Sequence, residues 1–292
     1  MIDSYLLEEL VSFDRYGTLA GAADHLGLSQ PAITRGTKKL EAELNLQLFK
    51  REPNKIYLNE TGKFAAKKAA KLLAANHNFV QEVHHFDQNQ SHVSVASIAP
   101  GPLMIIHNTT NSTGQKAQVN DQCLPNKNLL SLLRAEQYSI IVTTQPLTDR
   151  TVKNSYLGRE QLIVNVNEFN PLASQKSVSF KDLGGLSFLV IHDIGIWREI
   201  IQEQIPDAKF LYQSRNNFDE IRNNSIFPYF TTNLSPVDPR WRGVFKKDDR
   251  VPVKISDPAA TQAFYANYLK PNEARVMPLI NAWQDTWAKV DR

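Results

Sequence analysis

The sequence predicts an α/β multidomain protein with a small winged helix-turn-helix at its N-terminus, then one long helix, then a larger C-terminal α/β region. Three observations predict this. TLAGAADHLGLSQPAITRGTKKLEAELNLQLFKR (18–51) reads as two amphipathic helices joined by a tight turn. The run 60–87 contains no proline and, after Gly62, no glycine. Beyond residue 90, short apolar strand-like segments alternate with helical ones, which implies α/β architecture with parallel sheets.

In the first helix of the turn motif, Leu19, Ala22, Ala23 and Leu26 form one apolar face, and the small Ala22 and Ala23 let another helix approach closely. Gly27 suits the left-handed conformation that ends a helix. Ser29 is placed to cap the next helix, and Pro31 sits in its first turn, where no backbone donor is lost. In that second helix Ile33, Thr37, Leu40 and Leu44 share one face, leaving Gln30, Thr34, Arg35 and Lys38 on another. Gln and Arg make bidentate contacts to base edges, and Thr and Lys suit phosphate or single-bond contacts. This is the composition of a helix that reads DNA. A solvated helix with ordinary surface charges is the alternative, disfavoured because turn, cap and second helix agree. Gly36 lies inside the helix at a cost of about 1 kcal/mol against Ala. Lys50, Arg51, Lys55 and the Tyr57-Leu58 pair read as a two-stranded wing with cations placed over a backbone.

Charge supports this only when resolved locally. Residues 1–33 carry Arg15 against Asp3, Glu8, Glu9, Asp14 and Asp24, a net −4. Residues 34–71 carry ten Lys or Arg against Glu41, Glu43, Glu52 and Glu60, a net +6. A concentrated cationic strip is the footprint of phosphate binding, and the whole-chain charge of +3 conceals it.

The Ala-Ala pair, Leu26, SQPAIT (29–34), Leu40-Glu41, LQLFKR (46–51) and LNETG (58–62) together resemble, in order and spacing, the N-terminal domain of LysR-type transcriptional regulators. The resemblance implies that the second helix enters the major groove and that an Arg after the Leu-Phe pair lies near phosphates. The DNA-binding residues so implied are Gln30, Pro31, Thr34, Arg35, Lys38 and Arg51, with Lys55 added from the wing. Two positions depart from the family pattern: it has a branched apolar residue where Thr37 stands, and Thr where Asn59 stands.

In 60–87, Ala65, Ala69, Leu72, Asn76, Phe79, Val83 and Phe86 alternate spacings of four and three, a heptad seam over three heptads. A small winged domain offers such a helix little to pack against, so a second copy is the expected partner. Packing on the same chain's C-terminal region is the alternative. The dimerisation residues are Leu72, Asn76, Phe79, Val83 and Phe86, with Asn76 the polar residue that fixes register. The family also dimerises through this helix. His77, His84 and His85 form no His-x-x-x-His pair, so no metal site is expected.

The bulk numbers bound the rest. At 292 residues the chain accommodates two or three domains, and 42% hydrophobic with 22% charged residues is ordinary for a globular protein. MIDSYLLEEL has early acids and no basic segment, so no signal peptide is expected. No apolar run approaches a bilayer span. A single cysteine, Cys123, rules out an internal disulfide and fits a reducing cytoplasm. Its neighbours Asp121 and Gln122 give it no activating cation.

In the C-terminal region DQNQSH (87–92) reads as a hinge. Strands are expected at 92–100, 138–144, 161–166, 186–191 and 250–255, and helices at 103–111, 129–136, 196–205, 260–269 and 278–290. EQLIVNVNEFNPLA (160–173), SVSFKDLGGLSFLVI (177–191) and RVPVKISDP (250–258) make this half similar to the effector-binding domain of the same family. That implies a periplasmic-binding-protein-like fold of two lobes. The domains are then 1–59 (DNA binding), 60–90 (linker helix and hinge) and 91–292 (effector binding), with a first lobe of 91–160 and 255–292 and a second of 161–254. The Gly-rich segment the family often carries before its last inner strand is replaced by NNSIFPYFTTNLSP (223–236).

Ligands of two-lobed α/β folds lie outside the carboxyl ends of strands, in the crevice between lobes. That nominates Ser97, Ile98, Pro100 and Gly101 on one wall, with Thr143, Thr144, Asn165, Asn167, His192, Asp193, Thr231 and Thr232 around it. The amides that start the helix after Gly101 are suited to an anion such as a carboxylate. Neighbouring strand residues point to opposite faces, so His192 and Asp193 form no dyad. The expectation is a cytoplasmic, dimeric or tetrameric regulator of transcription that binds double-stranded DNA and a small, anionic effector, with no cofactor. The alternative is a small-molecule-binding protein or enzyme with a DNA-binding-like accessory domain. No Gly-x-Ser-x-Gly, Gly-x-x-x-x-Gly-Lys, His-Glu-x-x-His or Cys pair supports catalysis, and no catalytic residue is nominated.

Overall fold

The computed structural model describes residues 2–53, 55–110, 117–238 and 249–290; the side chains of 81–82, 85–86, 88–91 and 110 lie outside that description. The chain forms two compact units, 1–84 and 85–292.

The first unit contains α1 (Ser4–Tyr16), α2 (Leu19–Leu26), α3 (Gln30–Leu44), a hairpin of β1 (Phe49–Glu52) and β2 (Lys55–Leu58), and the start of α4 (Glu60–Ser91). α1 is a helix that the reading of the turn motif leaves out. Its Leu6, Leu10 and Phe13 are buried with Ala22, Ala23, Ile33, Leu40 and Phe49 in one core. Gly27 ends α2 with φ 66°, as its position predicts. Ser29 stands at the N-cap of α3 but its side chain makes no cap bond there; Thr18 performs that role for α2, its hydroxyl accepting from the Gly21 amide at 3.0 Å.

Gly36 has a packing reason. A Cβ there would lie 2.6 Å from Cδ of Glu9, which α1 buries against it. Burial in turn pushes the Glu9 carboxyl up from its ordinary range. Thr37 is equally buried, and its hydroxyl donates to the Thr34 carbonyl at 3.0 Å, so a polar residue is accommodated on the inner face. Asn59 caps α4: its carboxamide oxygen accepts from the Gly62 amide at 2.7 Å while its nitrogen donates to the Gln47 carbonyl at 2.8 Å. Thr has no second group for the latter bond, so the departure at this position ties helix to wing.

α4 runs to Ser91, so the polar stretch read as a hinge is helical through that residue. Its lower end packs on its own unit through Ala65, Ala66, Ala69 and Leu73.

The second unit is built on one hydrogen-bonded ladder ordered β4-β3-β5-β12-β6-β10-β8-β9, with β11 pairing β6 and β7 pairing β11. β3 (Val93–Ser97), β4 (Ala117–Val119) and β5 (Ile140–Thr143) are parallel, as are β8 (Ser187–Ile191), β9 (Lys209–Gln213) and β10 (Tyr229–Thr232). β7 (Ser177–Val178) also runs parallel to its partner β11. The connecting pieces are antiparallel, which departs from the purely parallel expectation. β6 (Val152–Asn167) pairs β12 (Thr261–Leu269) over 152–161, and then β10 and β11 (Arg250–Ile255) over 162–167. This one long strand therefore joins the two lobes.

The segment 260–269 is strand β12 rather than a helix. Phe264, Ala266 and Tyr268 are buried at a spacing of two, and Pro258 and Pro271 bound the run. The aromatic content favours a pleated surface, and both flanks of this strand are paired. Helices α5 (Pro100–Thr110), α6 (Leu129–Arg134), α7 (Trp197–Gln204), α8 (Arg215–Asn223) and α9 (Glu273–Val290) complete the unit. α9 starts before the expected 278 and carries Pro278 inside it. Its Trp283 and Trp287 are buried in the first lobe's core, while Phe180, Phe188 and Trp197 belong to the second lobe's. No helix among the described residues is long and apolar enough to cross a membrane.

Candidate functional site

α3 buries Ile33, Gly36, Thr37 and Leu40 and turns Gln30, Pro31, Arg35 and Lys38 outward. Thr34 is half-buried, its hydroxyl donating to the Gln30 carbonyl at 3.0 Å. Gln30, Thr34 and Lys38 follow one another at four-residue steps along the helix, with Pro31 and Arg35 alongside. The cations divide by partner. Lys39 is held by Asp3 at 2.9 Å and by the Tyr5 hydroxyl at 3.0 Å, which raise its pKa. Arg35 and Lys38 make no ion pair among the described residues, so α3 presents them with their charge uncommitted.

The hairpin is the expected wing, with Lys50 opposite Tyr57 and Arg51 opposite Ile56. Lys55 lies 5.7 Å from the centre of the Tyr57 ring. Arg51 is partly committed, to Glu41 at 3.2 Å. Glu41 also accepts the Leu48 and Phe49 amides at 2.8 and 3.0 Å. The Leu40-Glu41 motif thus has a physical role: a carboxylate on the reading helix fixes where the wing begins and aims Arg51.

The second unit holds a cavity of about 640 Å³, mouth included, between Pro100 and Met104 of the first lobe and Leu162, Leu189, Phe230 and Thr231 of the second. Glu160, on β6 where the lobes join, lines it and is wholly buried. Among the described residues neither of its carboxyl oxygens closes a hydrogen bond, nor does the facing Trp197 indole N–H. Burial pushes the Glu160 pKa up to about 7, although Thr232 and Trp197 lie close enough to favour the charged form.

The model of the family described as "Bacterial regulatory helix-turn-helix protein, lysR family" matches residues 5–63, the segment that α1 to α3, the wing and the start of α4 occupy. Residues 5–63 thus match the LysR-type helix-turn-helix domain. The chain is 23% identical over 194 residues to the Escherichia coli regulator YbhD, covering 64% of this chain and 60% of that protein. It is 22% identical over 183 residues to a RuBisCO operon transcriptional regulator of Allochromatium vinosum, covering 60% and 59%. The matches thus span about 60% of these relatives' lengths. A full-length OxyR variant from Pseudomonas aeruginosa shares the fold, with a TM-score of 0.51 at 18% identity, over 97% of this chain and 95% of that one.

Of the nominated effector residues, Pro100 and Thr231 line the cavity, as do Asp193 and Thr232. The others are not in its lining. The Ser97 hydroxyl is used in its own turn, donating to the Ala99 carbonyl at 2.8 Å and accepting the Ala99 amide. Thr143 donates to the Gln145 carbonyl at 2.5 Å and accepts from buried Asn267. Asn165 bonds Thr231 at 2.8 Å, supporting the wall without lining it. His192 is exposed and stacks on Tyr212. Gly101 is buried where a Cβ would overlap the Glu160 carboxyl. The turn expected to meet an anion therefore faces a carboxyl of the chain itself, and Pro100 and Pro102 remove two of its amide donors.

Glu160 was not nominated. Its signal was the spacing of two in EQLIVNV: Glu160 shares strand parity with Leu162, Val164 and Val166, all buried. Cys123 is partly buried; burial first, then Asp193, raises its thiol pKa and keeps it protonated. Among the described residues no group of three or more His, Cys, Asp or Glu could hold a metal. Along α4 the nominated seam divides. Ala69 is buried and Ala65 partly so, both in the first unit's core, whereas Leu72, Phe79 and Val83 are 59%, 64% and 53% exposed and Asn76 is exposed beside them. The Phe86 side chain falls outside the described residues.

Proposed function

We propose that this chain is a sequence-specific, DNA-binding transcription regulator acting in the cytoplasm, with no catalytic activity of its own. The observation that carries this reading is the outward strip of Gln30, Arg35 and Lys38 on α3, its cations unpaired among the described residues, beside a cationic wing. Gln30 and Arg35 read base edges; Lys38, Arg51 and Lys55 contact phosphates; Pro31 and Thr34 shape the start of the helix against the groove. Bidentate base contacts contribute about 1–3 kcal/mol of discrimination each. The double variant Thr34→Ala with Arg35→Ala is expected to lose sequence preference while retaining salt-dependent, non-specific binding. Preference surviving in that variant, measured by competition between cognate and scrambled duplexes, contradicts the assignment.

The division into 1–59, 60–90 and 91–292 is part of the same proposal. α4 joins two copies through Leu72, Asn76, Phe79 and Val83, with Phe86 continuing the seam, and a tetramer is a pair of such dimers. Exposed apolar side chains at heptad spacing support it. Phe79→Glu is expected to convert the dimer to monomer in analytical ultracentrifugation; an unchanged mass at micromolar concentration places the interface elsewhere. A small effector bound between the lobes of 91–160 with 255–292 and of 161–254 shifts the placement of the paired DNA-reading heads, by as much as its affinity differs between the two arrangements.

A further inference from the structure

The interlobe cavity carries an inference about the chemistry of its ligand, which rests on reading that cavity as the effector site. We propose that the ligand is a compact hydrophobic molecule with a hydrogen-bond-donating cationic head, an amine, held by the Glu160 carboxylate.

The walls set the first half of this. Leu162, Leu189, Phe230 and the Trp197 ring surround the space, so the body of a ligand gains by being apolar. Glu160 sets the second half. It is completely buried, it lines the cavity, and among the described residues neither of its acceptor oxygens closes a hydrogen bond of good geometry, with Thr232 and Trp197 only lying near. Burying an unpaired carboxylate is costly, and a ligand that brings donors and a positive charge relieves that cost. A ligand carboxylate meets the opposite situation: a like charge ahead of it and, in Pro100-Gly101-Pro102, a helix start short of amide donors.

The other charged groups at the cavity do not reverse this sign. Arg215 lines it, but its guanidinium lies 4.0 Å from Asp238. Asp193 adds negative charge at the lining while accepting the Cys123 amide at 3.1 Å, and the neighbouring Cys123 thiol is kept neutral. The balance of charge around the space is negative. Because burial lifts Glu160 to about pH 7, an ammonium head displaces its proton on binding.

The test uses the full-length protein and three one-ring probes of matched size: 2-phenylethylamine, 2-phenylethanol and phenylacetate. Binding is read from the Trp197 indole N–H resonance, assigned with Trp197→Phe. The amine is expected to bind at least tenfold more tightly than the alcohol, with phenylacetate weakest. Its affinity is expected to rise roughly tenfold between pH 6 and pH 8. Glu160→Gln is expected to abolish both the preference for the amine and the pH dependence while still admitting the alcohol. If all three probes perturb Trp197 equally, or phenylacetate most, the cavity is a ligand site but the proposed head is wrong. If none perturbs Trp197, the reading of the cavity as the effector site fails and the proposal with it.

Discussion

Glu160→Gln is expected to stabilise the second unit at pH 8 by about 3 kcal/mol and to flatten its dependence on pH. The folded protein holds this carboxyl at about 7, against 4.5 for an ordinary glutamate, because burial outweighs the approach of Thr232 and Trp197. The shift has the sign of a proton bound more tightly by the folded chain. Stability from this group is therefore greatest below pH 4.5 and is lost as pH rises towards and through 7, at about 1.4 kcal/mol per unit of difference. Gln keeps the shape and removes the charge, so its advantage grows between pH 4.5 and pH 7, is fully present at pH 8 and is mostly gone at pH 5. Urea unfolding at pH 5 and pH 8 measures both effects. Equal midpoints for the two proteins at pH 8 show that Glu160 is solvated or paired. The retained charge is itself informative: a neutral residue would be more stable here, which fits a carboxylate kept for a ligand.

Gly62→Ala is expected to destabilise the first unit by about 3 kcal/mol, enough to remove most of the margin of a small domain. Gly62 lies in the first turn of α4, and a Cβ there would overlap the Leu48 carbonyl oxygen and approach Leu58 Cδ2 to 2.9 Å. A backbone oxygen cannot swing aside as a side chain does. The Leu48 carbonyl is also tied to the Asn59 amide at 2.9 Å, and Asn59 caps the same helix. The substitution thus sets helix, cap and wing against one another, and DNA affinity falls with them. Thr61→Ala, one residue earlier and exposed, controls for helix propensity and is expected to stay within about 0.5 kcal/mol of the parent. A wild-type unfolding midpoint for Gly62→Ala contradicts the close approach.

How far the sequence revealed this molecule varied with whether local chemistry decided the outcome. The turn motif was legible because Gly27, Pro31 and the apolar spacing of Ile33, Thr37 and Leu40 all act within a few residues. Its cap was less so: Thr18 and Ser29 are both good N-cap residues, and only three-dimensional placement gives the bond to Thr18. Segment 260–269 was misread because its apolar residues satisfy a helical spacing as well as the spacing of two, and the flanking strands β5 and β6 decide between them. The α4 seam was half legible. Ala65 and Ala69 fit the heptad but are drawn into the chain's own core, leaving the exposed apolar residues further along.

The candidate cavity was the least legible. Ser97, Thr143 and Asn165 stand at strand ends, where a polar side chain is used by a turn or a neighbouring strand as readily as by a ligand. Glu160 could have been found by parity, since a glutamate in phase with Leu162, Val164 and Val166 must be buried. What parity does not supply is the lack of a partner, which depends on Trp197, Thr232 and the prolines of α5 arriving from elsewhere in the chain.

The most direct test of the central claim is fluorescence anisotropy of the full-length protein on DNA from upstream of its own gene, beside a scrambled duplex, at two salt concentrations. Tight binding to the upstream fragment, weakened by salt, is expected, with Arg35→Ala reducing it to the level of the scrambled duplex. Equal binding of both duplexes, with Arg35→Ala indistinguishable from the parent, would contradict the assignment of α3 as a helix that reads DNA.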